Sequence, residues 1–243
     1  MKKIIALLIT GTFFMACDNV DTANVSEVLP LPTIEVLGAN PVFVPQGGTF
    51  TDPGAKALAA DGATVLPYTS SVNGVYRRAF SINTANTNEY LVTYSALNIP
   101  LATRKVIVYK TGNLVNSIEG VYVCSVKRNT SNPVTAQNIK YVHIWKNSDG
   151  TFGISDAFGG WYEYHRGFGS GYITPGGKVN AVNIATNTFT FPGNPLTNLG
   201  FGGVANLTSM TVNPTTKKIV FTTTWTTGPS SYLFTATLTQ VQL

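Results

Sequence analysis

Two neighbouring segments near the end of the sequence alternate between side chains of opposite character, with a period of two residues. One face of residues 218–226 carries Ile219, Phe221, Thr223 and Trp225. One face of residues 232–239 carries Tyr232, Phe234, Ala236 and Leu238. This period is typical of an antiparallel β-strand that is buried on one side. Since the turn-forming sequence Gly228-Pro229-Ser230-Ser231 separates the two segments, we predict a β-hairpin.

Similar turn signals divide the rest of residues 113–243 into short β-rich runs. They are Ser148-Asp149-Gly150, Thr174-Pro175-Gly176-Gly177, Ala185-Thr186-Asn187 and Asn213-Pro214-Thr215-Thr216. Only 11% of all residues are charged, whereas helical surfaces usually need Glu, Lys and Arg. We therefore predict an all-β chain. Its second domain, residues 113–243, is predicted to be an antiparallel lipocalin-like β-barrel or curled sheet of about eight to ten strands.

The first residues have the layout of a secretory signal, with Lys2 and Lys3 followed by an apolar run that ends at Cys17. That run is shorter than the roughly 20 residues that a spanning helix needs. The tetrad Phe14-Met15-Ala16-Cys17 resembles a lipobox, which implies a signal peptide at residues 1–16 and a lipid anchor on Cys17. Residues 17–32 are mostly polar at first and contain two prolines, Pro30 and Pro32, at their end. This composition favours an extended tether between the membrane and a folded body.

Charge and composition exclude several classes of function. The formal net charge is +5 and falls to +3 once Lys2 and Lys3 leave with the signal, and no basic stripe is visible, so nucleic acid is not an expected partner. The two histidines, His143 and His165, are isolated, and no zinc spacing or cofactor motif occurs. We expect neither a metal nor a cofactor.

A catalytic role is also not expected. Cys124 lies in an apolar alternation and is interpreted as a small buried hydrophobic residue. A glycosidase needs two carboxylates about 5 to 10 Å apart, and Asp156 with Glu163 is the one pair that fits in principle. Asp149 is better explained as a turn residue and Glu119 as a charge at the start of a strand. We predict a protein that is not an enzyme.

The first part of the predicted folded body contains the segments Pro32 to Gly38, Gly48-Thr49-Phe50-Thr51-Asp52-Pro53-Gly54-Ala55 and Asp61-Gly62, and the closing strands Glu89 to Ala96 and Arg104 to Val108. In these segments, residues 33–110 resemble the immunoglobulin-like domain that recurs in bacterial surface proteins. It implies an Ig-like β-sandwich that acts as a spacer, since such domains commonly carry no chemistry of their own. Residues 63–81 depart from the usual pattern.

The sequence between Phe158 and Tyr172 combines aromatic rings with glycines that let the backbone approach a partner closely. Sugar rings stack on Trp and Tyr, and His and Arg can hold their hydroxyl groups. The candidate ligand-binding residues are Trp161, Tyr162, Tyr164, His165, Arg166 and Tyr172, with Trp145 on a neighbouring strand. The alternative is that one set of these rings fills the barrel core, which is also the preferred interpretation of Trp225.

Residues 113–243 combine sequential hairpin signals with the glycine-aromatic segment at residues 158–172. In these features they resemble the C-terminal domains of uncharacterised Bacteroidota lipoproteins that pair with the Ig-like module, and some members of that wider class are accessories of glycan-uptake systems. Asp18 and Asp21, just after Cys17, resemble the export signals of such proteins, whereas in other bacteria an Asp next to the cysteine favours retention on the inner membrane. The resemblance implies a lipoprotein of the cell envelope, anchored in the outer membrane and exposed at the surface, with a polysaccharide or oligosaccharide ligand. Two alternatives stay open: a structural or adhesive protein that binds another protein, such as an outer-membrane transporter, and a lipocalin-like carrier of a small apolar ligand.

Overall fold

The structure, a computed structural model, describes residues 31–129 and 134–243. Cys17, the signal peptide and most of the tether lie outside these residues. The strands are β1 Thr33–Val36, β2 Val42–Pro45, β3 Ala55–Leu58, β4 Val65–Leu66, β5 Thr69–Gly74, β6 Asn88–Ala96, β7 Ile99–Tyr109, β8 Gly120–Asn129, β9 Val134–Lys146, β10 Phe152–Ile154, β11 Gly177–Asn183, β12 Thr188–Thr190, β13 Leu196–Asn198, β14 Gly202–Asn213, β15 Lys218–Thr227 and β16 Ser230–Gln240. A π-helical turn at Trp161–His165 and a 3-10 turn at Ser170–Tyr172 complete the described elements.

The first seven strands form two small sheets that share one core. One sheet has the order β1-β3-β4 and the other the order β2-β7-β6-β5, in which β2 runs parallel to β7. The buried side chains of this core are Val44, Ala55, Tyr90, Val92, Tyr94, Val106 and Val108. The region is thus a sandwich of two layers. Its Ig-like classification and the limits of the domains, residues 33–110 and 113–243, stay predictions.

The remaining strands form a single curled antiparallel sheet of nine strands, in the order β12-β11-β10-β9-β8-β16-β15-β14-β13. Each arm of the sheet is a run of sequential hairpins, and the two arms meet where β8 pairs with β16. The all-β prediction and the predicted curled sheet are confirmed, and the strand count lies within the expected range. Cys124 is buried, as its position in the apolar alternation predicted.

A segment between β10 and β11, residues 155–174, packs against the central strands and is called the plug segment here. Its side chains Phe158 and Trp161 are fully buried among residues of β8, β9 and β16. Gly159 and Gly160 both have positive φ, and a Cβ atom on Gly160 would overlap Ile139 of β9. The pair of glycines therefore lets the backbone turn while it lies directly on the sheet.

Both ends of the plug segment are held by one buried carboxylate, that of Asp156. It accepts hydrogen bonds from the backbone N–H groups of Phe158 (3.0 Å), Gly160 (2.8 Å) and Thr174 (2.9 Å). Thr223 of β15 donates a further bond to the carbonyl of Ala157. The segment is thus fixed by polar bonds as well as by packing.

Residues 31–129 and 134–243 contain no helix with the length and apolar character that crossing a membrane requires.

Candidate functional site

The plug segment emerges at one end of the curled sheet, and there its rings form a partly exposed cluster with a loop that precedes β14. We define the aromatic patch as Phe168, Tyr172 and Phe201, backed by Tyr162 and Trp225. Phe168 is 43% exposed and Phe201 is 45% exposed. Ring centroids lie 5.1 Å apart for Phe168 and Tyr172 and 5.0 Å apart for Tyr172 and Phe201. Three neighbouring rings therefore present an apolar surface to solvent.

Local chain geometry positions these rings. Tyr172 lies flat against the backbone of Gly200, where any Cβ atom would overlap its ring. The indole N–H of Trp225 donates a hydrogen bond to the carbonyl of Gly202 (3.0 Å), which fixes the loop that carries Phe201. Since Trp225 and Tyr162 are themselves buried, the exposed rings rest on a rigid base.

Cations and aliphatic side chains border the aromatic patch. The guanidinium of Arg166 lies 5.9 Å from the centre of the Phe168 ring. Arg128 lies between two rings, 5.3 Å from Trp161 and 5.4 Å from Tyr232. Leu199 and Val204 are also exposed at this end of the sheet. The surface thus offers stacking faces and charged hydrogen-bond donors side by side.

The structure brings together some of the sequence-predicted ligand residues and separates others. Tyr172 and Arg166 lie in or beside the aromatic patch, with Tyr162 beneath it, and His165 is exposed next to Trp161. Trp161 itself is fully buried. Tyr164 points to the sandwich, and Trp145 lies on β9, bonded to Asn147. Residues Trp161–His165 form a π-helical turn and not a strand.

Phe201 was not identified from the sequence as a site residue, although a signal for it exists. It stands in Gly200-Phe201-Gly202-Gly203, which repeats the combination of glycine and aromatic residues seen at residues 158–172. Phe168 belongs to that aromatic segment but was not chosen as a candidate. Glycine-flanked rings in two different loops are therefore the sequence signal that indicates the patch.

A second set of polar side chains lies where the sandwich meets the curled sheet. We define the junction cluster as Tyr76, Glu89 and Lys105 from the sandwich, with His143, Glu163 and Tyr164 from the second region. The hydroxyl of Tyr76 contacts both Glu163 oxygens (3.2 and 3.3 Å) and the Tyr164 hydroxyl (2.6 Å). Glu89 lies 2.7 Å from Lys105 Nζ and 3.5 Å from His143 Nε2. These contacts join the two regions through buried groups.

The pKa values of the two carboxyl groups of the junction cluster are shifted in opposite directions. Burial, and then the negative charge of Asp156, raise the pKa of Glu163 to about 8. Burial alone would also raise the pKa of Glu89, but the adjacent His143 and Lys105 outweigh it and lower that pKa. Burial likewise raises the pKa of Asp156, to about 6 despite its three backbone donors. Glu163 is therefore a neutral acid at pH 6 in the folded protein.

These shifts predict a loss of stability as the pH rises. A raised folded-state pKa means that the folded protein holds a proton which the unfolded chain releases between pH 4.5 and about 8. The stabilising contribution of the Glu163 proton is complete below pH 4.5 and declines as the pH rises toward 8, by roughly 5 kcal/mol. Asp156 adds a change of the same sign between pH 3.8 and about 6. We expect Glu163→Gln to remove most of the decline between pH 6 and pH 8.

Urea denaturation of the wild-type chain, Glu163→Gln and Glu35→Gln across this pH range measures the effect. Glu35 is an exposed carboxylate of β1 and serves as the control. Equal slopes of stability against pH in all three proteins would show that Glu163 is ionised in the folded state.

The positions of Asp156 and Glu163 bear on hydrolytic chemistry. Asp156 is 1% exposed and Glu163 is 7% exposed, and both are engaged in hydrogen bonds that fix the plug segment or the junction. A glycosidic bond would have to lie between such carboxylates. In the described residues, no three His, Cys, Asp or Glu side chains are grouped as a metal ion would require. Asp156 and Glu163 each have structural contacts of their own.

Comparison with known proteins adds a family and a fold. A family model described as a "-like, C-terminal domain" matches residues 111–240. The chain is also similar to the crystal structure of the lipoprotein BT2262 from Bacteroides thetaiotaomicron, with a TM-score of 0.56 and 21% sequence identity. That likeness covers 85% of this chain and 99% of the other, and at this identity it shows a shared fold. No curated protein matches the chain.

Proposed function

The chain belongs to the family of this C-terminal domain, whose model matches more than half of it, and from that premise we propose a lipid-anchored surface lipoprotein that binds an extracellular glycan without catalysing a reaction. The observation that carries the proposal is the aromatic patch. Its three neighbouring rings are partly exposed, rest on a buried base and have Arg166 beside them. Sugar rings present apolar C–H faces to such rings and hydroxyl groups to such donors.

The proposed location rests on two observations. The first is the lipobox-like sequence that ends at Cys17, and the second is the shared fold with a protein that is itself described as a lipoprotein. Two or more acyl chains give stable anchoring, so a lipidated Cys17 would hold the protein at a membrane. We place it in the outer membrane and facing outward, where a glycan-binding surface has access to its ligand.

A glycan-array screen tests the proposed ligand class. The protein is the mature chain carrying Cys17→Ser, which removes the lipid acceptor, and it is compared with the same chain carrying Phe168→Ala and Phe201→Ala. Truncation of a central contact residue costs about 2 kcal/mol or more, so we expect the double variant to lose at least about 30-fold in affinity. Trp161, Tyr162 and Tyr164 are unsuitable for this test because their side chains are buried or bonded within the protein.

Phe80→Ala is the matched control. Phe80 is 73% exposed and has Arg78 at 5.3 Å from its ring, so it reproduces the chemistry of Phe168 with Arg166 outside the patch. Retained binding in this variant together with lost binding in the double variant would support the proposal. Equal binding by all three proteins would remove the patch from the site.

A protein partner, such as an outer-membrane transporter, is the second candidate. It is favoured by the aliphatic side chains beside the patch, since Leu199 is 59% exposed and Val204 is 53% exposed. Exposed apolar groups of this kind more often contact proteins than sugars. Co-purification of one membrane partner that depends on Phe168 and Phe201, with no glycan bound, would favour this alternative.

The third alternative, a carrier of a small apolar ligand, has less support. Phe158, Trp161 and Phe234 pack together in the core of the curled sheet, where a lipocalin would hold its ligand. These side chains occupy that space themselves.

A further inference from the structure

A cleft lies where the sandwich meets the curled sheet, at the end of β8 opposite to the aromatic patch. Its main cavity has a volume of about 470 Å³. The residues that line it and carry the argument are Gln46, Arg77, Asn86, Lys110, Glu119 and Lys146. A volume of this size accommodates one or two sugar rings and exceeds what a simple ion needs.

The cleft has a surplus of positive charge. Glu119 is buried, and its carboxylate lies 2.8 Å from Lys110 Nζ, so these two charges compensate each other. Among the described residues, no carboxylate lies within ion-pair distance of Arg77 or Lys146. Two cations therefore face the cavity without a counter-charge.

Arg77 also has unused hydrogen-bonding capacity. Its Nη1 atom is buried and makes no hydrogen bond within residues 31–129 and 134–243. A buried guanidinium donor without an acceptor is costly, because the group has lost its water without gaining a partner. Other atoms of Arg77 line the cleft, and Arg is the side chain best suited to carboxylate and sulfate geometry.

The cleft continues on both sides of the main cavity. A cavity of about 120 Å³ shares Arg77 and Asn86 with it and adds Arg78. Another, of about 360 Å³, shares Gln46 and Lys110. Amide side chains and cations thus line these cavities together, which is the mixture that a chain of hydroxyl-bearing sugars with interspersed anionic groups would contact.

We propose that this cleft binds an acidic sugar, one that bears a carboxylate or sulfate group, with the oxyanion between Arg77 and Lys146. The site is separate from the aromatic patch and does not depend on it. Binding by either surface can therefore fail while the other survives, and the two proposals are tested independently.

Calorimetric titrations of the mature Cys17→Ser chain test this site. The probes are glucuronate, glucose 6-sulfate, inorganic sulfate and neutral glucose. We expect both acidic sugars to bind more tightly than glucose, and salt at about 0.5 M to weaken them because the attraction is screened. Tighter binding of glucuronate would identify a carboxylate ligand, and tighter binding of glucose 6-sulfate a sulfated one. Binding of inorganic sulfate alone would overturn the assignment of a sugar.

Variants that remove either a positive or a negative charge from the cleft make the test more specific. Lys146→Gln and Arg77→Gln should each weaken binding about fivefold or more, whereas Glu119→Gln should strengthen it about three- to tenfold by leaving Lys110 uncompensated. A gain of affinity is not what damage to the fold produces. Lys127→Gln is the control, because Lys127 is exposed on β8 outside the cleft. It removes one positive charge, as Lys146→Gln does, and should leave the affinity for acidic sugars unchanged.

The proposal fails if the wild-type chain does not distinguish acidic sugars from glucose. It also fails if Lys146→Gln and Glu119→Gln bind as the wild-type chain does while their circular dichroism spectra are unchanged.

Discussion

Replacing Asp156 by alanine is expected to lower the free energy of unfolding by about 3–5 kcal/mol, because the change leaves the backbone donors of Phe158, Gly160 and Thr174 without their acceptor. Each buried donor without a partner costs about 1–3 kcal/mol. All three donors are buried in the plug segment, so bulk solvent does not reach them unless that segment opens. Asp156→Asn retains one acceptor oxygen, and we expect it to lose about half as much.

Urea denaturation at pH 7 measures this loss, and Asp149→Ala is the matched control. Asp149 also accepts a hydrogen bond from the backbone N–H of a residue two positions ahead, Thr151, and it forms an ion pair with Lys178. Its side chain, however, is half exposed. Because solvent replaces such bonds at a surface, the control should lose little stability. A similar loss in Asp149→Ala and Asp156→Ala would show that burial of the Asp156 bonds has no special weight.

The second large effect is expected at Arg104, which is fully buried in the sandwich. Its guanidinium donates hydrogen bonds to the carbonyls of Leu37, Ala39 and Gly54, and its Nε atom contacts Tyr94 Oη (2.9 Å) and Asp52 (3.2 Å). One side chain thus satisfies the end of β1 and the turn at residues 52–54. Arg104→Met should cost about 3–5 kcal/mol, since it removes every one of these donors at once.

Arg104→Lys separates charge from geometry. A lysine restores the positive charge but cannot serve carbonyls in several directions, so we expect it to recover less than half of the loss. Chemical denaturation of the three proteins supplies the comparison. If Arg104→Met unfolds at the same urea concentration as the wild-type chain, apolar packing replaces the network and Arg104 has no net stabilising role.

The period-two pattern predicted the regular part of the fold well. Strands β15 and β16 were expected from their alternation, and their pairing places Phe221 opposite Ala236 and Trp225 opposite Tyr232. The turn signals at residues 148–150, 185–187 and 213–216 also fall between paired strands. Local pattern is sufficient in these places because each hairpin satisfies its own hydrogen bonds and only one face must be apolar.

Local pattern failed at the plug segment, and the reason is physical. Residues 158–172 contain aromatic residues in an arrangement that a strand would tolerate, but Gly159 and Gly160 adopt positive φ and place the chain on the sheet. Its conformation is set by contacts with β8, β9 and β16, all of which lie outside the segment. Likewise, the meeting of Tyr76 with Glu163 and of Phe201 with Tyr172 depends on how distant elements pack, and no local signal specifies such pairs.

The pairing of β8 with β16 has a consequence for the order of assembly. Each arm of the sheet can form hairpin by hairpin, but the arms join only through the register that sets Cys124 beside Leu238. Closing so long a loop is entropically unfavourable and slow compared with hairpin formation. If residues 1–16 act as the predicted secretory signal and the chain crosses the membrane unfolded, the two arms of the sheet would stay separate until β16 has crossed. The topology would then delay folding of the sheet until translocation is nearly complete.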